Sequence, residues 1–154
     1  MLHLVIVAPL ESLVVGDSFP VSRFPLHMTL LPPFLVDCDL PTLTQAVEAV
    51  SSKTESLLAE VTDQEGFGPH GNIAVSLIRP VASVLEAHSR LTRALTPLGW
   101  AAKEPQYNGE GYRPHITGTD ESSVRCGDQF ILSELAIIEM LDQPIIRATQ
   151  RLSG

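Results

Sequence analysis

Two histidines in this sequence are each followed, two positions later, by a threonine. The triplets are His27-Met28-Thr29 and His115-Ile116-Thr117, and a proline, Pro25 or Pro114, stands within two residues before each histidine. Both triplets lie in segments with the composition of β-strands, in which positions i and i+2 point to the same face. Each histidine is therefore expected beside its threonine, and if the two strands are neighbours, two imidazoles and two hydroxyls converge.

That set of groups suits phosphodiester chemistry. The ordinary pKa of histidine is about 6.5, so one neutral ring can take a proton from water or a ribose hydroxyl while the other, protonated, donates one to the leaving oxygen. Each such transfer typically contributes about 10²–10⁴ in rate. Threonine hydroxyls can donate hydrogen bonds to the non-bridging phosphate oxygens, where charge accumulates in the transition state. Together these groups need no metal ion.

The apolar pattern of the first half of the chain predicts five elements. They are strands over 2–7 and 26–31, a helix over 40–56, and strands over 57–68 and 72–78. Pro32 and Pro33 are expected to end the second strand. Asp39 has the residue type of an N-cap, and Pro41 stands in the first turn of the predicted helix.

The second half predicts one helix and several short strands. They are a helix from Pro80 to Pro97, a strand near Trp100, a polar loop over 104–111, the strand that carries His115, and strands over 130–141 and 145–151. Each half thus has one helix and several strands, with no linker between them. The sequence predicts a single domain over 1–154 of the α+β class, with two similar lobes of antiparallel sheet and a helix in each. The spacing of the triplets, 115 − 27 = 88 positions, fits a duplication.

Composition and charge limit the class of ligand. The chain is 44% hydrophobic and 18% charged, which is typical of a soluble globular protein. Its net charge is −8 and its 10 basic residues are scattered, so a small nucleotide or oligonucleotide is favoured over a long nucleic acid. The apolar run over 2–10 is too short to span a membrane, and the N-terminus lacks a basic leader, so we expect a cytoplasmic protein. Cys38 and Cys126 show no CxxC pairing and no metal-ligand spacing, so we expect no metal site. We also expect no disulfide, because the chain is expected to be cytoplasmic, and no cofactor.

The segments 25–34 and 113–117, which read PLHMTLLPPF and RPHIT, resemble the paired signature of the two-histidine (2H) phosphoesterases. These include the 2′-5′ RNA ligase-like proteins and cyclic nucleotide phosphodiesterases. The resemblance implies a bilobed α+β fold with a central cleft, and metal-independent hydrolysis of a 2′,3′-cyclic phosphate or a 2′-5′-linked nucleotide. It further implies that His27 and His115 are the acid–base pair and that Thr29 and Thr117 bind the phosphate. Gly118 departs from the pattern, because many members have an aliphatic residue there.

Residues around the second triplet are candidates for further contacts. Tyr112 and Arg113 are candidate ligands of a base or a phosphate, and strand alternation places Arg113 on the face of His115. The alternatives are packing for Tyr112 and a solvated charge for Arg113. His88 lies on the apolar stripe of the second predicted helix and is expected to be structural. The loop over 104–111 is a candidate lid.

Two other functions remain open from the sequence. A non-catalytic module of the same fold that binds a nucleotide or an RNA end is compatible with the acidic charge and with Gly118. A metal hydrolase would need further carboxylate or histidine ligands beside His27 and His115, and none stands at a recognisable spacing. The pattern leaves open which histidine is the acid, which substrate is used and which oligomer forms.

Overall fold

A computed structural model describes residues 1–119 and 122–154. Within them, two helices and nine strands are present. The helices are α1 (Leu40–Ser51) and α2 (Ala82–Leu95). The strands are β1 (Leu2–Pro9), β2 (His27–Val36), β3 (Leu57–Phe67), β4 (Ile73–Ile78), β5 (Ala101–Ala102), β6 (His115–Thr117), β7 (Gln129–Leu132), β8 (Glu134–Glu139) and β9 (Ile145–Arg151). No helix in the described ranges is long and apolar enough to cross a membrane.

The strands form one curled, antiparallel sheet in the order β7-β3-β4-β6-β2-β1-β8-β9, and β5 pairs with β2. Four strands lie on each side of the β6–β2 contact, so the sheet consists of two lobes that meet where the two triplets lie. The prediction of a bilobed α+β fold is confirmed. The lobes are not the two halves of the chain, because one lobe combines β1 and β2 with the C-terminal β8 and β9.

The two faces of the sheet have different coverings. Both helices pack on one face, over a large apolar cluster that includes Met28 and Ile116 from the triplet strands, and α1 and α2 contact each other. On the other face, a smaller cluster forms where Phe19 and Phe24 cover Val5 and neighbouring residues of β1, β8 and β9. That second face therefore remains open around β6 and the start of β2, which is where the four residues of the triplets point.

The expectation that Pro32 and Pro33 end the second strand is wrong, because β2 continues to Val36. The register between β1 and β2 shifts on both sides of the Ile6–Leu31 pair. Pro32 and Pro33 lie in the irregular stretch between Leu31 and Phe34. Their missing N–H groups therefore interrupt no regular ladder of hydrogen bonds.

Two further boundaries differ from the prediction. The N-cap of α1 is confirmed, because Asp39 Oδ1 accepts the Thr42 N–H at 2.9 Å, but the helix ends at Ser51 rather than near residue 56. The segment 130–141 forms two strands rather than one. They separate at Ser133, after which β8 pairs with β1 while β7 pairs with β3. The curl of the sheet brings the two ends together there, and Leu152 N–H donates to the Ser133 carbonyl at 2.9 Å.

Candidate functional site

The two triplets lie side by side in adjacent strands. Met28 of β2 pairs with Ile116 of β6, and the strands are antiparallel. The pairing therefore places His27 across from Thr117 and Thr29 across from His115. The middle residues are 0% and 1% exposed in the core, so the outer residues of each triplet face the open side of the sheet. Each histidine thus lies across from the threonine of the other triplet, an arrangement that we call the exchanged pairing. It brings the four polar side chains onto one surface.

Each histidine ring is fixed by a backbone carbonyl two residues earlier in the sequence. His27 Nδ1 lies 2.8 Å from the Pro25 carbonyl oxygen, and His115 Nδ1 lies 2.8 Å from the Arg113 carbonyl oxygen. A carbonyl only accepts, so Nδ1 is the protonated nitrogen in both neutral rings. Within the described residues, neither Nε2 atom has a hydrogen-bond partner. Both Nε2 atoms are thus free to accept a proton, or to donate one when the ring is charged.

The pKa values of both histidines lie below the ordinary value. Burial is the largest cause for His27; the Pro25 carbonyl opposes it, and the charge of His115 adds to it. Burial also leads for His115; the bond to the Arg113 carbonyl opposes it, and the Arg113 guanidinium lowers the pKa further. The site therefore favours neutral rings before a ligand binds.

A cavity of about 240 Å³ opens beside three of the four residues. Its lining includes His27, Thr29 and Thr117, while His115 lies outside it. The rest of the lining is mostly apolar and includes Val5, Val21, Phe24, Ile138, Met140 and Pro144. Of the residues described there, none is charged. The cavity is therefore suited to an uncharged, largely apolar part of a ligand.

His115 is bordered by a different group. The Phe67 ring meets it edge-on, with ring centroids 4.9 Å apart, and the Arg113 guanidinium lies 5.3 Å from the centroid of Phe67. Arg113 also forms an ion pair with Glu65 at 3.0 Å, and its side chain is 53% exposed. The guanidinium thus lies near His115, but it already has a carboxylate partner.

Tyr112 lies beneath the site rather than in the cavity. It is 7% exposed, and its hydroxyl donates to the Thr29 carbonyl at 2.8 Å. Its ring stacks on His88, which is 3% exposed, at a centroid distance of 4.1 Å. These contacts correspond to the packing alternative for Tyr112, and the burial of His88 agrees with its expected structural place.

The loop over 104–111 is held in short turns. Two 3₁₀ turns, Pro105–Tyr107 and Gly109–Gly111, occupy it, and the Gly109 N–H donates to His88 Nε2 at 3.0 Å. The backbone of Gly111 approaches the Gln106 carbonyl so closely that no Cβ fits between them. This loop is anchored to α2, and its function as a lid stays a prediction.

Within the described ranges 1–119 and 122–154, no group of three or more histidine, cysteine, aspartate or glutamate residues is arranged to hold a metal ion.

Comparison with known proteins gives the family. The sequence model of the 2′-5′ RNA ligase superfamily matches residues 6–125, a range that contains both triplets. The chain belongs to this superfamily. Membership supports a phosphoesterase-type function and confirms the resemblance found in the sequence. Among curated protein sequences, none matches the chain significantly.

Several solved structures have the same fold as this protein. A crystal structure described as a phosphoesterase aligns with a TM-score of 0.68 at 12% identity and covers 100% of both chains. TT0787 of Thermus thermophilus aligns with a TM-score of 0.62 at 15% identity, over 99% of this chain and 98% of that one. E. coli LigT in complex with NADP+ aligns with a TM-score of 0.61 at 12% identity, over 99% and 98%.

Two residues near His115 could not be identified from the sequence as neighbours of the site. Phe67 and Glu65 lie at the end of β3, far from His115 along the chain, and reach it because β4 pairs with both β3 and β6. Alternation along β3 indicates only that they share a face. Their proximity to the second triplet depends on the order of the strands in the sheet, in which β4 lies between β3 and β6.

Proposed function

We propose that this protein is a metal-independent phosphodiesterase that hydrolyses a 2′,3′-cyclic phosphate or a 2′-5′-linked nucleotide. His27 and His115 act as the acid–base pair, and Thr29 and Thr117 bind the phosphate. The observation that carries the proposal is the exchanged pairing of the two triplets, with both Nε2 atoms free and both Nδ1 atoms bound to backbone carbonyls.

The geometry supports acid–base catalysis of the hydrolysis of a 2′,3′-cyclic phosphate. The neutral ring of one histidine accepts a proton through Nε2 from the attacking water, whose oxygen forms the new bond to phosphorus. The protonated ring of the other histidine donates from Nε2 to the ribose oxygen as its bond to phosphorus breaks. The product is a phosphate monoester with a free ribose hydroxyl. The two rings have then exchanged protonation states, and exchange with solvent restores them.

The same arrangement supports cleavage of a 2′-5′ linkage. There the neutral ring takes the proton of the neighbouring 3′-hydroxyl, whose oxygen attacks phosphorus, and the charged ring protonates the leaving 5′-oxygen. A cyclic phosphate forms and is hydrolysed in the step above. In both steps the threonine hydroxyls donate to the non-bridging oxygens as their negative charge grows.

The surroundings favour a small nucleotide as the ligand. The cavity beside His27 is mostly apolar, which suits a base next to the bound phosphate. E. coli LigT, which shares the fold, has been crystallised with 3′-AMP, ATP and NADP+. Arg79, Arg90, Arg113 and Arg147 form ion pairs with glutamates, which reduces the positive charge available for a long nucleic acid.

A substrate panel tests the proposal. The protein is incubated with the four 2′,3′-cyclic nucleotides, 2′-5′ and 3′-5′ dinucleotides and 3′,5′-cyclic AMP, each with and without EDTA, and products are identified by ³¹P NMR. We expect turnover of a 2′,3′-cyclic or 2′-5′ substrate that EDTA does not change. H27Q and H115Q are each expected to lower kcat by about 10²–10⁴. The double variant is expected to lose little more, because the two rings act as a unit.

H70Q is the matched control, since His70 is exposed in the turn between β3 and β4 and does not line the cavity. It should retain wild-type activity. Loss of turnover on chelation would overturn the metal-independent mechanism. If no substrate of the panel turns over, while 3′-AMP binds equally well to wild type and both histidine variants, the protein is a nucleotide-binding module instead.

A further inference from the structure

The stacked pair of His88 and Tyr112 touches the first triplet from below. The two rings are nearly parallel, with an interplanar angle of 2°, and both are buried. The Tyr112 hydroxyl donates to the Thr29 carbonyl at 2.8 Å, and His88 Nδ1 lies 2.7 Å from the carbonyl of Leu30. Two side chains in contact with each other thus hold two consecutive carbonyls of β2, directly after His27 and Met28.

Those carbonyls belong to an irregular part of β2. Val7 pairs with Thr29 and Ile6 pairs with Leu31, so Leu30 is an extra residue in a β-bulge. On the other edge of β2, the described pairing with β6 is at Met28, and β5 begins its pairing only at Phe34. A buried carbonyl without a partner is costly, and at this irregular stretch Tyr112 and His88 supply side-chain donors to the Thr29 and Leu30 carbonyls.

The second nitrogen of His88 fixes its protonation state. Because Nδ1 donates to Leu30, Nε2 is the acceptor for the Gly109 N–H at 3.0 Å, and the ring is neutral. Burial lowers the pKa of His88, which agrees with a neutral ring. Both ring nitrogens are thus occupied, so His88 connects α2, β2 and the turn that precedes Tyr112.

We propose that His88 and Tyr112 are positioning residues that set the distance between the two halves of the phosphodiester site. Tyr112 is three positions before His115 in the chain, while its hydroxyl binds the backbone of Thr29. One side chain therefore links the second triplet to the first across the lobes, and His88 holds that side chain in place. The inference rests on the proposed function, since the distance matters for two rings that act on one phosphate.

Y112F tests the link, because it removes one hydroxyl and keeps the stacked ring. We expect kcat to fall by about 10-fold with KM changed less than about 2-fold, since a small displacement of a reacting group affects the transition state most. The control is Y107F at the chain's other tyrosine, which is 53% exposed in the same loop, and it should change neither constant.

H88N and H88Q separate the two bonds of His88. An asparagine amide can replace Nδ1 as the donor to Leu30, whereas a glutamine reaches the position of Nε2 and can accept from Gly109. We expect H88N to keep more of kcat than H88Q, because the bond to β2 positions the site. Equal activity of the two variants at wild-type level would overturn the inference.

S51A controls for loss of stability alone. Ser51 is 1% exposed and donates to Gln150 at 3.0 Å, away from the cavity lining, so its removal should lower Tm and leave kcat unchanged. If Y112F lowers Tm like S51A and also leaves kcat unchanged, the pair is only structural and the inference is wrong.

A measurement without turnover keeps this test separate from that of the proposed function. In wild type and Y112F, the Cε1–H signal of His27 and the methyl signal of Thr29 are recorded by NMR. We expect both to shift in Y112F and not in Y107F. Unshifted signals would overturn the inference whether or not the protein turns over any substrate. Shifted signals in a protein that fails the whole substrate panel would overturn the proposed function alone.

Discussion

The rings of His27 and His115 are held in the same way by the residues just before their strands, with Nδ1 in each case 2.8 Å from the carbonyl oxygen two residues earlier. The environments of the two rings differ. Phe24 meets His27 edge-on at 5.4 Å beside an apolar cavity, whereas His115 lies against Phe67, next to a charged pair. In the proposed mechanism, this equal anchoring allows either imidazole to act as the acid or as the base, whereas the different surroundings give the two sides of the site different chemistry.

The pH dependence of kcat/KM is expected to be bell-shaped with its maximum below about pH 6.5. The active form has one neutral and one charged ring, and burial lowers the pKa of both. At a pH above about 6.5, the ordinary pKa of histidine, both rings are therefore neutral in the free protein. The kcat profile should lie at higher pH, since the negative phosphate raises both pKa values in the complex. Initial rates between pH 4.5 and 9 measure both; a kcat/KM that rises steadily beyond pH 8 would contradict this.

Removal of either threonine hydroxyl should lower kcat more than it raises KM. T29V and T117V keep the shape of the side chain and remove the donor, and we expect losses of about 10²–10³ in kcat, as for other transition-state donors. T29S and T117S should recover most of the activity. T62V is the control, because Thr62 is an exposed strand residue of β3. Valine variants with at least half of wild-type kcat would show that the hydroxyls do not bind the phosphate.

Alternation at positions 27, 29, 115 and 117 predicts a shared face within each triplet, because the period of two is a local property of any strand. The order of helices and strands predicts the α+β class and two lobes, but not which strands form each lobe, because β1 and β2 share a lobe with β8 and β9. The register of Met28 with Ile116 and the bulge at Leu30 could not be predicted, since both depend on contacts between segments distant in the chain. Pro32 and Pro33 misled for the same reason: a proline ends a regular strand, and whether the ladder is regular there depends on β1.

Arg113 is expected to affect the titration of His115. Its guanidinium lowers the pKa of His115, so R113Q should raise that pKa and move the alkaline limb of kcat/KM upward. ¹H–¹³C NMR titration of the ring measures the shift directly. R79Q is a matched control, because Arg79 forms a comparable exposed ion pair with Glu60 at 3.1 Å in the same lobe. Both pairs are exposed, so neither substitution should change stability measurably. An unmoved His115 titration in R113Q would contradict the expectation.

Acid is expected to destabilise the fold through four histidines whose pKa values are lowered in the folded chain. Burial is the largest cause that lowers the pKa of His3, His27, His88 and His115 in the folded chain. Between the lowered folded values and the unfolded value of about 6.5, the unfolded chain binds more protons. The free energy of unfolding should therefore be constant with respect to these groups above about pH 6.5 and fall as the pH drops below it. Urea denaturation at pH 8, 7, 6 and 5 measures the slope.

H88Q separates the contribution of His88 from that of the other three. At pH 8 it should lower stability by about 1–3 kcal/mol, because the buried Leu30 carbonyl loses its donor. Its decline between pH 7 and pH 5 should be shallower than that of wild type, since one group that binds protons more tightly in the unfolded chain is gone. The difference between the two proteins is thus largest at pH 8 and narrows as the pH falls. A gap that stays constant or widens toward pH 5 would mean that His88 is not held neutral between Leu30 and Gly109.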